Sequence, residues 1–534
     1  MSTEPLDVLL AIAPPLVVLV LMVGFRWGGS KAGPVGWIVA LGIAFASFGA
    51  DGDVLGWAHI RAFVLTVDVV MIVWAALLLY FVVREAGALD VISRGFSDLT
   101  SDDVLRVLLL GWIFTGFLQG VGGFGVPVAI VAPLLVGLGL RPLSAIVIPS
   151  IGHAWAVTFG SLGSSFIMLI NVTDLSGEVL APTAALLLGG GAIVCGLVVS
   201  YAYAGWYGLR RGVPAVLIIG SVMAVVQYIV ATNGLWTIGS AVAGLVGLIV
   251  GYLVTRMGYY RDRSDSHEHD TISQAVPWER STTTRRNRPN FSQAILGYGI
   301  LVILAFLIKG IEPLNEAMEQ TTVGVSIPEL ETSEGWITEA GDVGIPIFAH
   351  TGTILLYSAI ITFIFYRLSS FYNRGAYKMI FKGVRTKGVR PAIGILSMVA
   401  MATIMSNAGM TRTFAEWMSG AVPSDLYAFV STGIGSLGAF MTGSNTNSNA
   451  VFAGLQKETA TLLGLSVPVV LGIQTASAAI ASLLAPAKIM VGASTVNMKD
   501  GEGQVLRSLL VYGGVILIFI AVFGFILLQI GFEG

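Results

Sequence analysis

The sequence predicts an all-α protein that crosses a membrane many times. Of its 534 residues, 55% are hydrophobic and only 11% are charged, whereas about a quarter of the residues in an ordinary soluble domain carry a charge. The apolar residues stand in runs of about 20, the length that a helix needs to cross a bilayer. Polar or glycine-rich stretches interrupt these runs in both halves of the chain. The expected fold is therefore a polytopic helical membrane protein with broken segments in its interior.

Twelve apolar runs are long enough to span a bilayer. In chain order they are 8–24, 34–50, 60–84, 142–172, 178–208, 213–231, 235–256, 292–310, 346–366, 391–410, 465–497 and 507–531. The first ten residues, MSTEPLDVLL, lack the basic start of a signal peptide, so we expect the first run to be a retained helix. The topology of two further apolar stretches, 103–140 and 425–462, is inferred below from the charged residues of the chain.

The charged residues set the expected orientation in the membrane. The loops 257–291 and 367–390 are rich in Arg and Lys, so they are expected to face the cytoplasm. Between Lys309 and Arg367 there is no Lys or Arg while Glu and Asp accumulate, so this loop is expected outside. Counting crossings from these loops places both termini outside.

Two apolar stretches are expected to enter the membrane and return. Arg94, Arg106 and Arg141 flank the stretch 103–140, and all three favour the cytoplasm, so this hairpin opens inward. The same count places both ends of 425–462 outside, so the second hairpin opens outward. The prediction is about twelve transmembrane helices plus two opposed re-entrant hairpins.

The two halves of the chain resemble each other. A shift of 322 residues places Ala86 on Ala408 and Asp103 on Asp425. The first half begins outside and the second inside, which is the arrangement of an inverted-topology repeat. The expected units are a first repeat over 1–208, linking helices and a cytoplasmic loop over 209–291, and a second repeat over 292–534.

The most polar stretch at membrane depth is GSNTNSNAVF, from Gly443 to Phe452. An unpaired amide or hydroxyl is costly in a bilayer, so this stretch is expected to line a wet site together with the glycine-rich stretch that begins at Gly120. Free N–H groups at broken helices favour anions. Capping of the hairpin tips is the alternative role. The expected substrate-binding residues are Gly122, Gly123, Phe124, Gly125, Ser444, Asn445, Thr446, Asn447, Asn449 and Lys488.

Ionisable side chains at membrane depth are functional candidates, because a charge there is costly. Lys488 follows Pro486 in a broken segment and is expected to face a cavity, unless it snorkels to the cytoplasmic end of its span. A histidine side chain can titrate near neutrality, so His153 is the first candidate for proton coupling, with a structural place in the core as the alternative. Asp68 is the second candidate, unless an Arg or Lys pairs with it.

Several classes of function are disfavoured. A net charge of -2 leaves no basic surplus for nucleic acid. The chain contains no His-Glu-x-x-His, Gly-x-Ser-x-Gly or ATP-binding P-loop motif, so neither an enzyme nor an ATP-driven pump is expected. The single cysteine, Cys195, excludes an internal disulfide and most thiolate metal sites, and no metal or cofactor is expected. A channel or receptor stays open, although opposed hairpins suit a carrier better.

Two stretches also resemble a known family. GFGVPVAIVAPLLVGLGLRPL, from Gly123 to Leu143, and GSNTNSNAVFAGLQ, from Gly443 to Gln456, are similar to the signature stretches of the lactate permease family. The resemblance implies proton-coupled uptake of lactate, often with glycolate, across a prokaryotic plasma membrane. More distantly, the chain resembles a wider group of ion transporters with paired hairpins, which implies a homodimer and elevator-type alternating access. Lys488 and His153 depart from the family's pattern.

A sodium-coupled carboxylate transporter of the same architecture is the alternative. Asn and Thr oxygens beside a hairpin tip suit a sodium ion as well as a substrate. In both cases the expected partners are a small carboxylate, a coupling ion and the lipid bilayer.

The orientation can be tested by labelling single cysteines in a Cys195→Ala background. Glu331→Cys is expected to react with a membrane-impermeant maleimide applied to intact cells, because the charges of 311–345 place it outside. Thr386→Cys, in the basic loop 367–390, is the control and should react only after the membrane is opened. Labelling of Glu331→Cys from the cytoplasmic face alone would contradict the inverted repeat.

Overall fold

A computed structural model describes residues 4–25, 27–97, 100–122, 126–261, 288–496, 498 and 502–533. Helices dominate these residues, which confirms the predicted all-α membrane fold. Within this part of the chain, nine helices are long and apolar enough to cross a membrane, or up to ten if one bent pair counts as a span. One of the nine, Gly177–Val254, contains three of the predicted runs. The total of twelve spans stays a prediction.

Eleven helices form the first half. They are α1 (Pro5–Val23), α2 (Gly29–Ser47), α3 (Gly52–Glu85), α4 (Ala88–Ser97), α5 (Asp103–Leu108), α6 (Thr115–Val121), α7 (Val126–Gly137), α8 (Pro142–Gly152), α9 (Ser164–Thr173), α10 (Gly177–Val230) and α11 (Gly239–Val254). A π-helical turn, Leu109–Phe114, joins α5 to α6. Within α10 the chain kinks at Gly205, whose φ of 57° is accessible to glycine, and this kink falls near the end of the predicted span 178–208.

Eleven helices follow in the rest of the described chain. They are α12 (Gly258–Arg261), α13 (Phe291–Gly310), α14 (Glu312–Glu319), α15 (Thr351–Leu368), α16 (Ala376–Asn407), α17 (Met410–Ala421), α18 (Tyr427–Thr442), α19 (Asn445–Leu462), α20 (Val467–Ala481), α21 (Pro486–Thr495) and α22 (Glu502–Gln529). The boundaries of the first and second repeats are not tested by this architecture and stay predictions.

The acidic loop between α14 and α15 contains short strands that the sequence analysis did not predict. Strand β1 (Thr322–Ile327) pairs antiparallel with β4 (Gly341–Pro346), and β2 (Leu330–Glu331) pairs antiparallel with β3 (Ile337–Thr338). These two ribbons fold the loop back on itself, so that α15 begins directly after the strands.

Both predicted hairpins are helical hairpins. In the second, α18 and α19 run antiparallel, since Tyr427 donates to Oε1 of Gln456 at 2.8 Å and Ser448 donates to the carbonyl of Gly435 at 2.9 Å. In the first, Asp103 at the start of α5 lines the same small cavity as residues 138–141, which follow α7. Re-entry of the hairpins into the membrane stays a prediction.

The helices that carry the broken segments lie in the centre of the molecule. Over an apolar window of 18 residues, 94% of the residues are buried in the helical stretch Asp103–Val121 and 89% in Val467–Leu484, whereas 33% are buried in α22. Small residues allow the close packing there. At Gly152 an added Cβ would lie only 1.8 Å from the carbonyl oxygen of Gly111. The polar sequence motifs therefore fall in the buried interior and not on the lipid-facing surface.

Candidate functional site

The helix that follows the first hairpin is broken in its middle. The segments Pro142–Ala156 and Ser161–Thr173 are bent by 42° relative to each other. Ser161 and Leu162 adopt the left-handed backbone conformation with φ of 48° and 55°, which is uncommon for residues other than glycine. Non-glycine residues held in this region cluster at functional sites. The break leaves α9 with an N-terminus inside the protein.

The tip of the second hairpin creates another buried N-terminus. Gly443 has a φ of 70°, which glycine accommodates without strain, and it turns the chain between α18 and α19. Ser444 then caps α19, because its hydroxyl accepts from the backbone N–H of Asn447 at 3.3 Å. Asn445, the first residue of α19, is only 1% exposed.

The N-termini of α9 and α19 meet. Oγ of Ser165 lies 3.0 Å from Oγ1 of Thr446, and the amide nitrogen of Asn449 donates to the carbonyl of Ser165 at 2.9 Å. At the far ends of the same helices, Nζ of Lys457 donates to the carbonyl of Thr173 at 2.8 Å. The two helices therefore run parallel, with both N-termini at one place.

This arrangement brings the N–H groups of two helix N-termini to one place. Each helix N-terminus carries roughly half a positive charge on its free N–H groups, and two of them side by side repel each other unless an anion lies between them. The partial negative charge at the C-terminus of α9 is offset by the ammonium of Lys457. Helix N-termini of this kind bind anions, so the site is suited to a carboxylate or another small anion.

A cluster of hydroxyls and amides surrounds the two N-termini. Thr475 is its hub, since Oγ1 accepts from the amides of Asn445 at 3.3 Å and Asn449 at 3.0 Å. Thr158 also contacts the hub, with its Oγ1 3.3 Å from that of Thr475, and it accepts from Asn445 at 3.0 Å. Sequence reasoning missed Thr158, Ser165 and Thr475. The signal was the small polar residues in the broken segments 150–166 and 474–491, but the partners of Thr158 and Ser165 in this cluster lie more than 280 residues away in sequence.

The amide oxygens of this cluster are hydrogen-bond acceptors that have no donor among the described residues. Within the described residues, Oδ1 of Asn445, Asn447 and Asn449 are buried and have no hydrogen-bond partner. The orientation of Asn449 follows from its partner, because only the nitrogen of an amide can donate to the carbonyl of Ser165. Its oxygen is therefore a free acceptor, and it fits a ligand that brings a hydroxyl group.

Not every predicted residue joins this cluster. The amide nitrogen of Asn447 lies near α2, 3.7 Å from the place of a Cβ on Gly29. Gly122 ends α6, and the neighbouring α6 carbonyl of Gln119 is 2.8 Å from the place of a Cβ on Gly160, in the first break. The end of α6 therefore lies beside the break. The predicted residues Gly123, Phe124 and Gly125 lie outside the described residues.

Lys488 lies at the second break. Helix α20 ends at Ala481, and α21 begins at Pro486 after a 3-10 turn. A Cβ on Gly443 would lie 3.4 Å from Cβ of Ala485, so the tip of the second hairpin contacts this break. Nζ of Lys488 donates to Oγ of Ser482 at 2.9 Å, back towards the break. The predicted position of Lys488 beside the polar cluster is thus compatible with the structure, and its role stays a prediction.

The two candidates for coupling have different surroundings. His153 ends α8 and is fully buried, with Nδ1 2.7 Å from the carbonyl of Pro149, and its Nε2 has no partner within the described part of the chain. Asp68 lies midway along α3 and contacts Nε2 of His350 at 2.8 Å and the amide of Asn171 at 2.8 Å. Its partners are neither Arg nor Lys. His350 was missed because it directly follows the strand loop, at the edge of a predicted span.

The described residues contain no group of three or more His, Cys, Asp or Glu that could hold a metal ion. The donors of the polar cluster are amides, hydroxyls and backbone groups. These are the groups that bind a small polar organic ligand in a pocket.

Known proteins match most of the length of this chain. A family model described as L-lactate permease matches residues 7–531. The L-lactate permease of Salmonella typhi is 25% identical over 461 residues, which are 82% of this chain and 80% of that protein. The glycolate permease GlcA of Escherichia coli is 26% identical over 545 residues, 98% of this chain and 95% of that protein. Among solved structures, the YdaH transporter of Alcanivorax borkumensis gives a TM-score of 0.43 at 14% identity and covers 86% of this chain and 85% of its own.

The hub role of Thr475 can be tested by its effect on stability. Thr475→Val keeps the shape of the side chain but removes the acceptor shared by two buried amides. An unpaired buried donor costs about 1 to 3 kcal/mol, so the variant should unfold at a lower temperature in detergent. Thr475→Ser retains the hydroxyl and is the matched control. Equal unfolding temperatures for the Val and Ser variants would contradict the proposed hub.

Proposed function

The chain belongs to the L-lactate permease family, and we propose that it imports L-lactate, glycolate or a related small 2-hydroxymonocarboxylate by symport with a proton. The family and the apolar helices make it a multi-pass membrane permease and give no support to an enzymatic role. The proposed location is the plasma membrane of a prokaryotic cell, since the relatives compared are bacterial. Both termini are proposed to face outside.

The meeting of two helix N-termini beside free amide oxygens carries this proposal. A 2-hydroxymonocarboxylate presents a carboxylate, which accepts hydrogen bonds, and a hydroxyl, which can donate one. The N-termini of α9 and α19 offer N–H donors to the carboxylate. The oxygen of Asn449 offers an acceptor to the hydroxyl. A monocarboxylate without the hydroxyl would leave that buried acceptor unpaired, which supports a preference for 2-hydroxy acids.

Alternating access is proposed to occur by an elevator-type movement. Helices α9, α19 and α20 are tied together by the polar cluster of Ser165, Asn449 and Thr475, which supports their moving as one body. Helices α3 and α16 are proposed to belong to a fixed scaffold, in which Trp74 donates to the carbonyl of Gly388 at 3.3 Å. A homodimer is proposed for the assembly, by analogy with the wider group of hairpin transporters.

Sodium coupling is the second candidate, and one observation favours it. The buried oxygens of Asn445, Asn447 and Asn449 have no donors within the described residues, and neutral oxygens of this kind are suitable ligands for a hard cation. The two candidates differ in which gradient drives accumulation. For proton symport the coupling group is proposed to be His153 or Asp68.

Uptake into proteoliposomes with independently imposed gradients tests the function. We expect a pH gradient, acid outside, to drive accumulation of labelled L-lactate above its external concentration in sodium-free buffer. Exchange of internal for external lactate separates a carrier from a channel. Accumulation that requires a sodium gradient and ignores the pH gradient would replace proton symport by the sodium-coupled alternative. Absence of any L-lactate or glycolate transport would contradict the proposed substrates.

The substrate site is tested by Asn445→Ala and Asn449→Ala. Each variant removes an amide from the polar cluster, and a lost hydrogen bond to a charged or polar ligand group is worth about 1.5 to 3 kcal/mol. L-lactate binding, measured by calorimetry in detergent, should weaken roughly tenfold to a hundredfold. Asn233→Ala is the control, because Asn233 is exposed and bonds only within its own turn. Unchanged affinity in both cluster variants would remove this cluster from the substrate site.

A further inference from the structure

Asp68 lies at the middle of the membrane helix α3, where its carboxylate contacts α9 and the start of α15. Its position is the seventeenth of the 34 residues of α3. Oδ1 lies 2.8 Å from Nε2 of His350, which caps α15, and Oδ2 accepts from the amide of Asn171 on α9 at 2.8 Å. The carboxylate is largely buried, with 16% of the side chain exposed. One acidic group therefore connects α3, α9 and the start of α15.

The hydrogen bonds define the charge on each partner. Nδ1 of His350 accepts from the backbone N–H of Gly352 at 3.1 Å, so this nitrogen carries no proton. The ring proton must then be on Nε2, where it is donated to Asp68. His350 is neutral in this arrangement, and the carboxylate of Asp68 holds the negative charge. Two neutral donors stabilise it, and no cation contacts it among the described residues.

Neither Arg nor Lys contacts Asp68 among the described residues, and the ammonium of Lys457 lies further along α9, on the carbonyl of Thr173, two residues beyond Asn171. The nearest ion pair is Arg61 with Asp174, two turns away along α3, and its members neutralise each other at 2.6 Å. Helix α9 has no titratable residue, and α16 has none after Arg390. In α15 the first titratable residue is Tyr357, and the acidic residues of β2 and β4 that approach α3 are exposed. A negative charge at this depth that neither Arg nor Lys contacts marks a site where a cation binds during function.

The geometry favours a proton over a metal cation. A sodium ion needs several oxygen ligands, whereas both oxygens of Asp68 already face N–H donors that repel a cation. A proton needs only one lone pair, and it removes the cost of a buried charge. We infer that Asp68 binds the transported proton, with His350 and Asn171 as positioning residues, and this inference rests on the proposed proton symport.

Helix α9 connects this proton site to the substrate site. Asn171 is six residues beyond Ser165 on the same helix, about 9 Å along its axis. Protonation of Asp68 converts a charge-assisted hydrogen bond from Asn171 into a weaker neutral one. The contact between α3 and α9 is therefore weakened. The substrate contacts the other end of α9. Proton and anion can therefore favour each other's binding, as symport requires.

His153 is a poorer choice for the same role. Its Nδ1 proton is donated to the carbonyl of Pro149, and a second proton on Nε2 would create a buried cation without an acidic partner in the described part of the chain. Asp68, by contrast, loses a buried charge when it binds a proton. If Asp68 binds the transported proton, substitution of Asp68 abolishes accumulation and substitution of His153 does not. If His153 binds it, the reverse is expected.

Three variants in proteoliposomes distinguish the candidates. Asp68→Asn mimics the protonated group, so we expect accumulation of L-lactate under a pH gradient to fall at least tenfold while exchange continues at a measurable rate. His153→Gln should accumulate substrate with the wild-type pH dependence. Asp174→Asn removes a carboxylate from the same pair of helices and should also stay coupled. Asp68→Asn with wild-type accumulation, or His153→Gln that exchanges without accumulating, would overturn the inference.

Two further measurements distinguish the loss of proton binding from a folding defect. Wild-type protein in detergent should take up protons from an indicator buffer when L-lactate binds, and Asp68→Asn should take up none, while Asp68→Glu restores the uptake. His350→Ala removes a donor that stabilises the carboxylate, so the pH of half-maximal exchange should move upward by about one unit with coupling retained. Proton uptake by Asp68→Asn, or an unmoved pH profile in His350→Ala, would contradict the inference. Wild-type protein driven only by sodium would refute the proposed proton symport itself.

Discussion

The structure depends on two helix N-termini that meet inside an apolar protein. Helices α9 and α19 begin side by side, with Ser165 and Thr446 in contact at 3.0 Å, and they run parallel from there. Like partial charges repel, and the side chains at the meeting point are almost fully buried. The lysine at the opposite end of α9 offsets its negative pole only. The two N-termini that meet can both donate hydrogen bonds to an anionic substrate.

The other features of the interior follow from the need to keep two helices broken. A helix that begins in the interior exposes backbone groups that must find partners. The serine cap of α19 and the cluster around Thr475 provide partners from both halves of the chain. Glycines at the hairpin tip and close-packed small residues allow the breaks to approach one another. The same hydrogen bonds tie α9, α19 and α20 together and leave a few amide oxygens for a ligand.

Much of the fold was predictable, because apolar run length and loop charge depend on local composition. The polar run at Gly443–Asn449 could also be identified as a candidate site from the sequence, because so many amides at membrane depth need a function. The partners of those amides were not predictable, because Thr158 and Ser165 lie almost 290 residues away in sequence. Asp68 was chosen as a candidate only because it is an ionisable residue at membrane depth. Its partner His350 was missed, because short strands bring α15 to that level, and their pairing is a tertiary property.

The most direct test of the anion site is a cryo-EM map of the full chain with L-lactate. We expect ligand density between the N-termini of α9 and α19, with the carboxylate towards the first turns of these helices and the hydroxyl within hydrogen-bonding distance of Oδ1 of Asn449. Ligand density at another place in the molecule, with an empty meeting point, would contradict this expectation. So would a bound carboxylate that faces away from both N-termini.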